Sequence, residues 1–123
     1  MYLHPTLWNT DLALPRHDVA AAPSPAELVA VTDRFAVAAG RWRPLLRRDP
    51  DRPWSAPLLR SDAVEVWLLA WSPGQQLPAH DHGGAGGAFT VVEGTLVEEC
   101  LDPTIWTTGR RTTFRAGSRS CFG

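Results

Sequence analysis

"PGQQLPAHDHGGAGGAFTVVEGTL", residues 73–96, decides how the whole chain reads. Two histidines stand one residue apart, and glycine and alanine fill the six positions after them before an apolar strand resumes. On a strand, residues two apart point to the same face, about 6.5–7 Å apart along the chain. His80 and His82 would therefore project together, with Asp81 turned the other way. If that shared face lines a cavity, two imidazoles converge on one point, as two neighbouring ligands of a metal must. Neutral imidazole suits iron, zinc, copper and nickel. A surface strand can also carry such a pair by chance, so the pair alone leaves both readings open.

The flanking segments read as strands. "AVEVWLLAW" (63–71) is an apolar, aromatic run of strand length closed by the turn "SPG". "GAFTVV" (87–92) and "TLVEECL" (95–101) flank Glu93-Gly94, a two-residue joint that suits a tight hairpin because glycine accepts positive φ. "TTFRAG" and "SRSCF" give two more short strands around Gly117. Short strands at intervals of about ten residues indicate a barrel or a sandwich. Upstream, Ser24, Pro25 and Glu27 form a helix start with a capping box. Leu28, Val31 and Phe35, with Val29 and Ala36 beside them, give a helical apolar face. The helix is expected over about 25–39, with Gly40 as its stop. Residues 1–23 read as irregular and 41–57 as a proline-broken connector. The expected organisation is an N-terminal irregular and helical segment, 1–57, and a β portion, 58–123, within one structural domain.

Composition narrows the function classes. A chain of 123 residues buries roughly two-thirds of its unfolded surface, enough for one core. Apolar residues at 44% and charged residues at 20% fit an ordinary soluble domain. A formal charge of −1 gives no electrostatic reason for a nucleic-acid or membrane partner. All 12 basic residues are arginine. That fits anion recognition, and it fits the codon usage of a GC-rich genome equally simply. Cys100 and Cys121 are too few for a disulfide framework and lie in strand-like runs, which favours buried free thiols over a bridge. No signal peptide and no apolar run of 18 residues is visible, so a cytoplasmic location is expected.

The histidine pair sits in a longer pattern. Gly74, five residues, His80, one residue, His82, four residues, Gly87, six residues, Gly94: this spacing resembles the first cupin motif. Most cupins carry a metal-binding glutamate where Gly87 stands. The glycine there, within "HDHGGAGGAFTVVEGTL", is similar to the cysteine dioxygenase (thiol dioxygenase) family, bacterial type, and "VWLLAWSPGQ" (66–75) continues the likeness. The resemblance covers about residues 54–123, and the helical part more loosely. It implies a mainly β cupin barrel with an N-terminal helical extension. It also implies Fe(II) held by histidines without a protein carboxylate, with His80 and His82 as metal ligands. The iron then keeps its full charge and open positions for a substrate thiolate and dioxygen. The glycine–alanine run 83–88 clears side-chain volume beside it. The implied reaction oxidises cysteine or a related mercapto acid to its sulfinic acid.

Three departures from the family pattern follow. The family's third metal-binding histidine lies in a second cupin motif, beyond a stretch like "SRSCFG". It is therefore expected past Gly123, the barrel is expected to be incomplete here, and the activity of this chain by itself is in question. The family's substrate-binding arginine falls at Pro57, which offers no donor. Arg60 or Arg52 could reach the same space, and Arg60 is the candidate substrate-binding residue, although a solvated strand-end charge explains it too. The family tyrosine near the metal has no counterpart, since Tyr2 matches nothing, and Gly87 excludes the cysteine–tyrosine cross-link of the animal enzymes. Elsewhere, Trp67, Trp71 and Trp106 read as core or barrel-wall aromatics. Glu98 alternates with Leu96 and could face either way, and His4 and His17 read as solvated or structurally satisfied. The rival from another class is a non-catalytic or truncated cupin that binds a small molecule. A sugar isomerase would need polar side chains where glycine and alanine stand.

Overall fold

The computed structural model describes residues 2–8, 23–77, 86–101 and 109–122. Helix α1 spans Pro25–Val37, and its start is the capping box expected from the sequence. The Ser24 hydroxyl accepts from the Glu27 N–H at 3.1 Å, and the Glu27 carboxylate accepts from the Ser24 N–H at 3.1 Å. Two of the N–H groups that a helix start leaves without partners are thereby satisfied. Gly40 does not end this helix. The break falls at Ala38, and Gly40 lies inside a short second helix, α2, Ala39–Trp42. The reason is tertiary: the buried Trp42 indole N–H donates to the Phe35 carbonyl at 2.7 Å, giving a partner to one of the last carbonyls of α1.

A three-stranded antiparallel sheet follows, in the order β1 (Tyr2–Leu3), β2 (Trp54–Arg60), β3 (Glu65–Ala70). β2 begins at Trp54 and runs through the 57/58 position where the sequence changes texture. Its register breaks between Pro57 and Leu59: Pro57 faces Trp67 while Leu59 faces Val66, so Leu58 is an extra residue. Such a bulge disrupts the strict alternation of faces. Leu58 and Leu59, though consecutive, are both buried. Pro57, which cannot donate to a ladder, sits beside that irregularity, and β1 reaches only as far as Leu59. Val31 and Phe35 of α1 pack with Leu7, Trp42, Leu58, Leu59 and Leu68 in one core cluster.

The remaining strands build a bent ribbon. β4 (Gly87–Thr90) pairs with β7 (Arg119–Phe122), and β5 (Thr95–Leu101) pairs with β6 (Gly109–Arg115), all antiparallel. The Glu93-Gly94 hairpin expectation is therefore corrected. Gly94 does adopt a left-handed φ of +81°, but β4 and β5 do not pair with each other. Partner numbers add to 209 along β4–β7 (87 with 122, 90 with 119) and to 210 along β5–β6 (95 with 115, 101 with 109). The two pairings are thus halves of one ribbon with a one-residue shift at the corner. There Val91 N–H donates to the Ser118 carbonyl at 2.9 Å, and Gly117 N–H donates to the Val91 carbonyl at 2.7 Å. Four and seven paired positions in the ribbon outweigh the few that a 93–94 hairpin could make. On the more buried face, Phe89 and Phe114 meet edge to face at 5.0 Å.

α1 is fastened to this ribbon. The Thr90 hydroxyl donates to the Thr32 hydroxyl at 2.7 Å, Thr32 donates on to the Val29 carbonyl at 2.7 Å, and Arg119 pairs with Asp33. The fold is mainly β with few helices, and the described strands form no closed barrel. That is consistent with a small cupin-like β fold.

Candidate metal centre

His80 and His82 lie outside the described residues, as does the glycine–alanine stretch as far as Ala85; His17 and Trp106 do too. What the structure describes is the frame on either side of that segment. On the entering side, β3 ends at Ala70 and the turn Ser72-Pro73-Gly74-Gln75 follows, closed by Gln75 N–H donating to the Ser72 carbonyl at 3.1 Å. Gly74 takes φ +82° there, a conformation that side chains with a Cβ rarely adopt. On the leaving side, Gly87 opens β4 directly opposite Phe122.

β3 shows which of its faces looks inward. Val66, Leu68 and Ala70 turn toward the helix-covered core, while Glu65, Trp67 and Leu69 occupy the opposite face. Trp67 is therefore not a core aromatic, since it is 43% exposed. Its indole N–H donates to Glu65 Oε2 at 3.2 Å, and the Arg60 guanidinium lies 5.9 Å from its ring centroid. Arg60 Nε donates to Glu65 Oε1 at 3.2 Å, across the β2–β3 pairing. These partners, Trp67 first and Arg60 second, hold the Glu65 carboxyl below its ordinary pKa. Arg60 is thus an exposed strand-end cation with an acidic partner. Pro57 stands opposite Trp67 on the same face. Arg52 is exposed and pairs with Asp49 at 3.4 Å.

Glu98 falls on the half-buried side of β5 with Leu96, opposite Thr112, whereas Val97 and Glu99 are exposed. Cys100 is opposite Arg110 and Cys121 opposite Ala88, so the ladder does not place the two cysteines across from each other. His4 is held as expected of a structurally satisfied histidine: its Nδ1 accepts from the Thr6 N–H at 3.2 Å, capping a short 3-10 turn at Pro5–Leu7. Among the described residues no group of three or more His, Cys, Asp or Glu side chains could hold a metal ion. His80 and His82 remain the candidate donors that the sequence offers.

Sequence reasoning missed Gln75. Its side-chain Oε1 accepts from the Ser72 N–H at 2.7 Å, and its Nε2 donates to the Asp49 carbonyl at 2.6 Å. "SPGQ" signalled the turn, but nothing local signalled a partner 26 positions earlier.

The chain is small and mainly β, and its sequence carries a His-x-His pair between β3 and β4. The assignment sharpens on comparison: the model of the family described as cysteine dioxygenase type I matches residues 16–113, which is 98 of the 123 residues. The chain belongs to the cysteine dioxygenase type I family, as its first cupin-like spacing led us to expect. No curated protein and no solved structure matches it. Among the described residues no helix is long and apolar enough to cross a membrane.

Proposed function

We propose that the protein is a non-haem iron thiol dioxygenase on a cupin-type barrel. It converts a small thiol, cysteine or a related mercapto acid, into its sulfinic acid. The observation that carries this reading is the family match, which runs across both histidines and both flanking strands. The reaction balances as R–SH plus O2 giving R–SO2H. Both oxygen atoms join sulfur, which loses four electrons, and dioxygen gains them, so no outside reductant is required. Ferrous iron, when bound, supplies the point at which thiolate and dioxygen meet.

The chain's own residues have three tasks in this reading. His80 and His82 offer neutral imidazole donors, which leaves the anionic ligand to be the substrate's thiolate. The run 83–88 presents no side chain larger than a methyl group, so substrate volume is not contested there. Arg60 donates to Glu65 through Nε, which leaves its Nη groups for a substrate carboxylate; Pro57 can provide none. The test supplies ferrous iron and either cysteine or 3-mercaptopropionate under air, following oxygen uptake and sulfinate together. One sulfinate per dioxygen is expected with at least one thiol. Tight binding of thiol without oxygen uptake would instead identify a non-catalytic binding module.

A further inference from the structure

We propose that the end of α1, α2 and the connector to β2 form a docking surface for an acidic polypeptide. The overall charge of the chain conceals this surface. Residues 34–48 carry five arginines and no carboxylate, which leaves seven arginines against 13 carboxylates, a charge of −6, in the rest of the chain. So uneven a distribution gives one part of the molecule a positive potential that a net charge of −1 does not reveal.

Helical geometry sorts these residues. Val31, Phe35 and Trp42, four and then seven positions apart, are buried. Arg34, Val37 and Arg41, three and then four positions apart, face solvent, and Val37 is 88% exposed. Residues at such spacings are neighbours on a helix surface, so one outward stripe sets an apolar side chain between two guanidinium groups. The pattern continues across the break at Ala38, since Trp42 in α2 still reaches the core and donates to the Phe35 carbonyl.

Arg43, Arg47 and Arg48 follow, all exposed, at the end of α2 and on the connector. Arg47 turns back on its own backbone: its Nη1 donates to the carbonyls of Pro44 and Leu46 at 3.2 and 3.1 Å, which fixes the path of the connector. Arg34, Arg41, Arg43 and Arg48 have no carboxylate partner among the described residues, whereas Arg52, Arg60 and Arg119 each have one. A guanidinium in that position offers a planar fork matched to a carboxylate. A polypeptide fits this surface better than nucleic acid or lipid. Val37 flanked by arginines has the composition of a protein interface, apolar at its centre and rich in arginine. Both aromatic residues of the stretch, Phe35 and Trp42, are buried and cannot stack on a base, and one valine is too little apolar surface to enter a bilayer.

Fluorescence anisotropy of the full chain with a labelled twelve-residue peptide of glutamate, aspartate and leucine tests this. A peptide of glutamine, asparagine and leucine serves as the neutral probe. Binding of the acidic peptide alone is expected, weakened several-fold as ionic strength rises to about 0.15 M. Arg41→Gln/Arg43→Gln should weaken it about tenfold and Val37→Ser about threefold, while Arg115→Gln, in the ribbon, should change it about twofold at most. Circular dichroism checks that each variant keeps its fold, and Arg34→Gln/Arg48→Gln stands in should the first pair unfold. No binding of the acidic peptide, binding unchanged in the arginine pairs, or an equal loss in Arg115→Gln would overturn the surface. Tighter binding to phosphatidylserine vesicles or to a DNA duplex than to the peptide would overturn the polypeptide as its partner. No metal or thiol enters the assay, so its outcome is independent of the dioxygenase reading.

Discussion

The helix-and-sheet half and the ribbon half of this molecule are stabilised differently. In the first, α1, α2, β2 and β3 enclose a cluster of seven buried apolar residues, with Leu7 and Leu59 wholly removed from solvent. In the ribbon, among the described residues, Val91 is the buried apolar residue and Val97 is 43% exposed, and a long ladder and the Phe89–Phe114 contact join its strands. Burial energy scales with apolar area, whereas ladder hydrogen bonds largely replace bonds to water. Among the described residues burial is thus concentrated in the first half, and the ribbon is fastened to it through α1. The segment carrying His80 and His82 connects the two along the chain.

The largest expected effect tests whether the halves are separable. Leu59→Ala removes a fully buried side chain and should cost about 2–5 kcal/mol, read as a lowered denaturation midpoint. If the ribbon depends on the core, hydrogen exchange of the 95–115 amides should accelerate together with that of α1. Ribbon amides that stay protected while α1 opens would show two independent units and break the comparison.

Next in size is the turn at Gly94. Its φ of +81° is left-handed, and a Cβ added there meets nothing within 4 Å, so the cost of Gly94→Ala is conformational alone. About 1–2 kcal/mol is expected, measured by thermal or denaturant unfolding. A neutral outcome would mean that the ribbon corner readily adopts another backbone, making this half softer than its ladder suggests. Smaller again is Thr90→Val, which keeps shape and removes the hydroxyl that reaches Thr32. A loss of about 0.5–1.5 kcal/mol is expected, concentrated in exchange of the β4 and β7 amides. An equal slowing or quickening across α1 would show that the link is not local to the ribbon.

Local chemistry explains what could be read from the sequence. The capping box of α1 and the span Thr95–Leu101 were legible because their signals lie within a few adjacent residues. The partner of β4 was not, because residue 87 meets residue 122 and short-range turn chemistry at 93–94 says nothing of a ladder that distant. Trp67 misled for a related reason. Both faces of β3 carry apolar side chains, so its alternation could not reveal which one α1 covers. Gly40 misled because the end of α1 is settled by the Trp42 indole, a tertiary partner. For the site, spacing singled out the imidazole pair His80 and His82, which lie outside the described residues. Its frame, above all Gln75 bound to a carbonyl 26 residues away, required the fold.

The smallest effect concerns the outer face of the sheet, where Glu65 joins Arg60 to Trp67. A carboxyl whose folded pKa lies below its unfolded value binds fewer protons when folded, so it stabilises the fold above the ordinary carboxylate range. That contribution fades as pH falls through the lowered value. Glu65 is exposed and solvent screens its pairing with Arg60, so only a slight change is expected. The Tm of the protein should exceed that of Glu65→Gln at pH 7, and the gap should shrink steadily on acidification. A gap that is constant with pH would show that the benefit does not come from the ionised carboxylate, because glutamine still accepts the Trp67 hydrogen bond. A gap that widens in acid would contradict the depressed pKa. Either result would also bear on Arg60, because a guanidinium that Glu65 holds only weakly is freer to meet a substrate carboxylate.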